Sequence, residues 1–260
     1  MRSFVHRSQL GAFFLLAFGI SWVAWVAGGV LFSGLPGPLV ILGGFGPAFA
    51  AMAVSFLGGA GDFRELIRRI AHWRVPASVY LYALVVPPGL YLVAAGALHL
   101  LADFRFPAAA PSLLAYPGVL LYAAVLGGGQ GEIGWRGFAL PRLQAAMAPL
   151  DAGLLLGFLW ALWYLPLFFL PGAPGAGTPL LPHVATIVGL SVIMTWLHNV
   201  SGGSALVAVL FHAGTRVAPM WYPLGLCLGF TSSAGIIALI VWVAAGILVW
   251  RSGERLGFPG

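Results

Sequence analysis

Lysine is absent. All twelve basic residues are arginine, set against six acidic ones, and charged residues make up only 7% of the 260. A soluble domain averages roughly 25% charged residues. The shortfall, together with 61% hydrophobic residues, excludes an ordinary soluble globule and indicates a polytopic membrane protein. A single cysteine, Cys227, excludes an intrachain disulfide framework and a Cys-based metal cluster. In its apolar surroundings it reads as a small buried hydrophobe. The lack of lysine is explained more simply by a GC-rich genome than by a mechanism. A net charge of +6 often signals nucleic acid, but topology accounts for it better, and no nucleic-acid partner is expected. The first apolar stretch is longer than a signal h-region, and no clear cleavage site closes it, so a cleavable signal peptide is not expected.

What the chain does have is hydrophobic runs. Hydropathy predicts an all-α bundle of about eight spans around an intramembrane chamber, forming one integral membrane domain over residues 1–260. The spans are Leu10–Phe32, Pro38–Leu57, Ser78–Leu101, Leu113–Leu126, Ala152–Leu170, Val184–Leu197, Ser204–Ala218 and Ala234–Trp250. The fourth and seventh are short for a hydrocarbon core of about 30 Å. The fourth is expected to continue as helix through Glu132 inside the protein, past an irregular Gly127-Gly128-Gly129 that protein or a cavity must cover. A further weak span is conceivable within Met220–Phe230. With both termini in the cytoplasm, ten arginines fall inside and two, Arg105 and Arg216, outside. That bias fits the positive-inside rule and a bacterial cytoplasmic membrane.

Asp62–Arg74 reads as an amphipathic helix on the cytoplasmic side. Phe63, Leu66, Ile67, Ile70 and Trp73 share a helical spacing, and Asp62 is the expected N-cap. Its arginines suit anionic membrane lipid. Pro171–Pro182, rich in Gly and Pro and without charge, reads as an outer loop, mobile or pressed against the surface.

Ionisable groups within spans cost about 2.5–3.5 kcal/mol each on insertion scales and normally face the bundle interior with a partner. Glu132 and Arg136 stand four apart, on one face of a helix. They are either an active-site acid with its arginine or a structural ion pair. His212 lies on an apolar span. His198 reads as structural, His183 opens the sixth span and His99 lies near the end of the third. A metal held by Glu132, His212 and His198 has no supporting spacing, so neither a metal nor another cofactor is expected. Trp135, Trp160, Trp163 and Tyr164 suit either an interfacial belt with helix packing, or the wall of a pocket for a lipid or isoprenoid chain.

Three segments carry a resemblance. Gly131-Glu132-Ile133-Gly134-Trp135-Arg136-Gly137 resembles the first motif of the CPBP family, the CAAX proteases and bacteriocin-processing intramembrane proteases, with Gly131 in place of the first of two glutamates. Trp160-Ala161-Leu162-Trp163-Tyr164 resembles the second motif, with Tyr164 in place of a histidine. His212-Ala213-Gly214-Thr215-Arg216 resembles the third, with Arg216 in place of an amide or acid. The likeness runs from about Leu42 to Arg216 and includes Gly43-Gly44-Phe45-Gly46-Pro47-Ala48. It implies a chamber open to the cytoplasm or inner leaflet. It also implies that a glutamate at 131 and a histidine at 164 would activate water, while His212 and an amide at 216 would polarise the carbonyl. Gly131 has no side chain, and a phenol, with a pKa near 10, is no base at neutral pH.

Glu132 and His212 remain as the retained motif positions. Arg136, Arg216, Gly131, Tyr164, Trp135, Trp160 and Trp163 are expected to line the site or pair with its charges, with Glu132 bridging Arg136 or Arg216. The expected function is that of a non-proteolytic member binding an isoprenoid, a lipid or a membrane-protein partner. One alternative is an intramembrane endopeptidase with a rearranged site, acting on a prenylated or transmembrane peptide. Another is an acid-initiated isoprenoid cyclase or isomerase, with Glu132 as proton donor and the aromatics stabilising cations.

Overall fold

A computed structural model describes residues 2–32, 34, 37–102, 111–221 and 231–258. Cys227, Arg105 and most of the conceivable span at Met220–Phe230 fall outside them. Among the described residues the protein is all helical, with no strand. Six helices are long and apolar enough to cross a membrane: Ser8–Leu31, Gly37–Leu57, Ala77–Leu100, Pro149–Phe169, Leu180–Val200 and Ser233–Ser252. A seventh crossing is a broken pair, Leu113–Val125 and Gly129–Gln144, bent by 42°. The seventh expected span, Ser204–Ala218, corresponds to the shorter apolar helix Ala205–Met220, so the expected eight spans become six or seven by length. The protein is an integral membrane protein.

In chain order the helices are α1 (Arg2–Leu31), α2 (Gly37–Gly44), α3 (Gly46–Leu57), α4 (Ala60–Ile70), α5 (Ala77–Ala102), α6 (Tyr116–Val125), α7 (Glu132–Gly134), α8 (Leu140–Gln144), α9 (Pro149–Trp163), α10 (Pro166–Phe169), α11 (Leu180–Val200), α12 (Ala205–Val217) and α13 (Thr231–Ser252). Proline opens the first turn of α3, α6, α8, α9 and α10, where its missing N–H costs nothing. A π-helical turn, Trp135–Ala139, joins α7 to α8. Such turns insert one extra residue per turn and re-aim the side chains around them.

α12 is the central post, packing on α5, α6, α7 and α11. The most extensive helix pair is α9 against α11. Its closeness depends on Gly157, where a Cβ would stand 2.7 Å from Ser191 Cβ and 2.9 Å from the Val188 Cα. A Gly157→Val variant must push these backbones apart. We expect a loss of at least about 1–3 kcal/mol, read as a lower melting temperature and a lower monodisperse yield in detergent. Unchanged values would mean the two helices are not packed this tightly.

α4 is strongly amphipathic, as its sequence requires, but its details differ from expectation. It starts two residues before Asp62, and its N-cap is Gly59, at φ 104°. Asp62 instead accepts a hydrogen bond from Gln9 Nε2 and pairs with Arg142 at 3.6 Å. A glycine can take the left-handed backbone that this start needs, which frees the carboxylate for contacts between elements. Trp73 lies beyond the helix end and is exposed. Glu65 bonds both Arg68 (2.8 Å) and Arg69 (2.9 Å). The Arg68 hydrogen bond is the main reason its carboxyl sits below the ordinary value.

Candidate functional site

The site is built where α6 breaks. Gly128 sits at φ 119°, a left-handed conformation that glycine adopts without strain. A Cβ there would lie 3.4 Å from His212 Nε2. The chain then makes a 3₁₀ turn, Gly129–Gly131, and enters α7. This sharp re-entry places the Glu132 side chain in the protein interior rather than toward lipid, with no exposed surface.

Both Glu132 oxygens are engaged. Oε2 accepts from Arg136 Nη1 at 2.8 Å, and Oε1 lies 2.7 Å from His212 Nδ1. Arg136, also fully buried, donates through Nη2 to Ser191 Oγ at 2.9 Å, and that hydroxyl donates to the Gly153 carbonyl at 2.7 Å. A continuous polar chain thus links α12, α7, the π turn, α11 and α9. Trp160 fills the gap beside it. Its ring lies 4.8 Å from the Arg136 guanidinium and 5.0 Å, edge-on, from His212. A carboxylate can only accept, so the His212 proton belongs on Nδ1, leaving Nε2 as an acceptor.

Arg216 does not reach Glu132. Its Nε donates to the Gly127 carbonyl at 3.3 Å, and no carboxylate pairs with it among the described residues. It stands at the mouth of a cavity of about 410 Å³. The cavity lies between α2 and α6 and is covered by Pro174, Gly175 and Thr178 of the loop before α11. Tyr164 and Trp163 line it; Gly131, Glu132, Arg136, Trp135, Trp160 and His212 are not among its lining residues.

Comparison with known proteins now bears on this geometry. Residues 112–218 match the family described as type II CAAX prenyl endopeptidase Rce1-like. CAAX prenyl protease 2 of Methanococcus maripaludis is 30% identical over 87 residues, covering 31% of this chain and 32% of the relative. The chain therefore matches about a third of that relative's length. Residues 112–218 are therefore similar to the CAAX prenyl endopeptidases.

The retained Glu132 and His212 of this stretch meet directly; of the three altered positions, Tyr164 and Arg216 line the cavity and Gly131 does not. Gly131 needs to be glycine neither for its backbone, at φ −59°, nor for space: a Cβ would have its nearest neighbour, Trp135 Nε1, at an ordinary 3.5 Å. That buried indole N–H has no hydrogen-bond partner. Trp135, Trp160 and Trp163 are 0–3% exposed and form no interfacial belt: Trp135 and Trp160 pack in the interior, and Trp163 lines the cavity. His198 is buried at the far end of α11, away from this chain of bonds, with its Nδ1 unpartnered.

The implied chamber, open on the arginine-rich side, is not where this cavity lies. At that end Arg69 donates to the Gly137 carbonyl, Arg142 donates to Phe138, and Leu66 packs on Gly137. The start of α12 is tied to the same end, because Ser204 donates to the His72 carbonyl. The cavity sits three turns away, at the α12 C-terminus. Two participants were not named from sequence, and a third, His183, was read only as opening the sixth span. Ser191 is one hydroxyl on an apolar span. Gln130, just before the first motif, could have been found there. His183 is brought to Tyr164 only by the fold, with ring centres 5.6 Å apart.

Proposed function

We propose that this CAAX protease-like membrane protein does not cleave peptides and uses its intramembrane cavity to bind an isoprenoid, lipid or membrane-protein segment. One observation carries this reading. Glu132 spends both oxygens on Arg136 and His212, whereas glycine, tyrosine and arginine occupy 131, 164 and 216. A general base needs a free lone pair directed at water, and an oxyanion needs donors at its own position. Glu132 is committed to Arg136 and His212, and its bond to His212 Nδ1 fastens α7 to α12. The cavity, in the 300–1,000 Å³ range of small-molecule sites, is mostly apolar.

Both termini are placed in a bacterial cytoplasm, with α4 in the inner headgroup layer. With Arg136 and Arg216 left out, since both lie within the bundle, nine arginines against one still support this. So does the clustering of basic residues at one end, where the Glu254 carbonyl accepts from Leu150 N and ties the C-terminal tail beside Arg251 and Arg255 to the start of α9. In that orientation the cavity faces the outer leaflet.

The second reading, a rearranged endopeptidase, draws on the 2.7 Å His212–Glu132 contact, since a carboxylate-oriented imidazole is a familiar base. One experiment separates them. Purified protein incubated with prenylated CAAX peptides and membrane-peptide substrates should release no product over time. Cleavage that disappears in Glu132→Gln or His212→Ala would establish the endopeptidase instead. The acid-initiated isoprenoid reaction has less support, because Glu132 is not among the residues lining the cavity.

A further inference from the structure

Resting on the cavity-binding reading above, we infer that the ligand is a single-chain amphiphile with a terminal oxyanion, whose head is held by Arg216 and Gln130. Arg216 carries a guanidinium at the end of a largely apolar helix, and its one hydrogen bond among the described residues is to the Gly127 carbonyl at 3.3 Å. Among the described residues, no Asp or Glu lines the cavity. Two side chains with an unpartnered nitrogen among the described residues, Gln130 and His183, line it with Arg216. Gln130 is 4% exposed, and its Oε1 accepts from Gly128 N at 2.9 Å. That bond fixes the amide orientation and turns Nε2 toward Gly44, another lining residue; Nε2 has no partner. His183 lines the same cavity with its Nε2 also unpartnered.

A buried donor without an acceptor costs free energy, and a guanidinium matches a carboxylate or phosphate in geometry. Most of the remaining wall, including Trp25, Val40, Leu167 and Met220, is apolar. The cavity reaches the bundle surface beside α6, where Tyr122 and Leu126 are exposed. A chain therefore has a route from the lipid, and the head has a cation to meet. The shared chemistry is an oxyanion on an apolar chain, supplied by a fatty acid or by a prenyl monophosphate.

The test uses the full chain in phosphatidylcholine nanodiscs. The probes are palmitate, hexadecanol, farnesyl phosphate and farnesol, read by quenching of tryptophan fluorescence and corrected with empty nanodiscs. At least one anion should bind about tenfold or more tightly than its own alcohol. Which anion does so identifies the source. Arg216→Ala should erase the difference, Arg216→Lys should keep part of it, and Gln130→Leu should reduce it. The comparison of anion and alcohol in the unaltered protein stands even if a variant folds poorly. Equal affinity for anion and alcohol overturns the headgroup assignment but leaves the cavity a binding site. No binding by any of the four overturns both. Binding that persists unchanged in Arg216→Ala assigns the head elsewhere and overturns the role of Arg216.

Discussion

Glu132→Ala should lower stability by about 3–5 kcal/mol, because it strands the Arg136 charge in the interior. For a protein of this size that corresponds to a fall of the order of 10 °C in apparent melting temperature. The size follows from the geometry. Arg136 has no exposed surface, and its Nε already lacks a partner. Without Glu132 its remaining hydrogen bond is to Ser191. His212 would lose its carboxylate partner in the same step. Removing both charges tests the cause. Glu132→Ala combined with Arg136→Met should be more stable than Glu132→Ala alone, since no buried cation is left unpaired. Melting in detergent and size-exclusion profiles measure this. A single variant as stable as the unaltered protein would show that the pair is not buried as described. A double variant worse than the single would attribute the loss to packing.

Gly131→Glu, Tyr164→His and Arg216→Asn, introduced together, should give proteolysis where the unaltered protein has none. These substitutions restore the groups that the CAAX protease-like resemblance implies at the three altered positions. A positioned general acid–base group contributes about 10²- to 10⁴-fold, and a single oxyanion donor about 10²- to 10³-fold. Missing groups that act as a unit leave little residual rate, so all three changes are needed at once. The local structure admits the first of them. The Cβ position of residue 131 is free of close contacts, and the unpartnered Trp135 indole N–H is its nearest neighbour, ready to hold a carboxylate. Cleavage of a prenylated CAAX peptide by the triple variant, but by none of the single ones, is the expected outcome. A folded triple variant without activity would show that substrate access has also changed, and the cavity on the far side from the basic helix would then be a different chamber.

Much of the architecture was readable in the sequence because the bilayer imposes a simple rule. A backbone in hydrocarbon must bond to itself, so long apolar runs become helices, and each expected span coincides with a described helix to within a few residues. The helical spacing of Glu132 and Arg136 likewise settled that they share a face, and the pair is formed at 2.8 Å. Motif residues located the polar centre of the bundle. Local pattern misplaced the start of α4, because a glycine backbone at φ 104° competes with Asp62 as the cap. It also left the tryptophans undecided between belt and interior, since periodicity gives a direction around a helix but not the neighbour on that side.

Only the tertiary structure decided which partner each charge takes. Glu132, Arg136 and Arg216 are close enough in motif space for several pairings. The re-entry at Gly128 and the π turn aim Glu132 at His212 and Arg136 at Ser191, and Arg216 is left at the cavity mouth. The position of the cavity was decided in the same way. It depends on α6 ending early, on Leu66, Arg69 and Arg142 closing the basic end, and on residues 174–178 covering the other. Sequence determined the spans and the helix face that Glu132 and Arg136 share, because those follow from solvent and period. Contacts between segments far apart in the chain determined the site, because packing chooses among faces that hydropathy treats as equal.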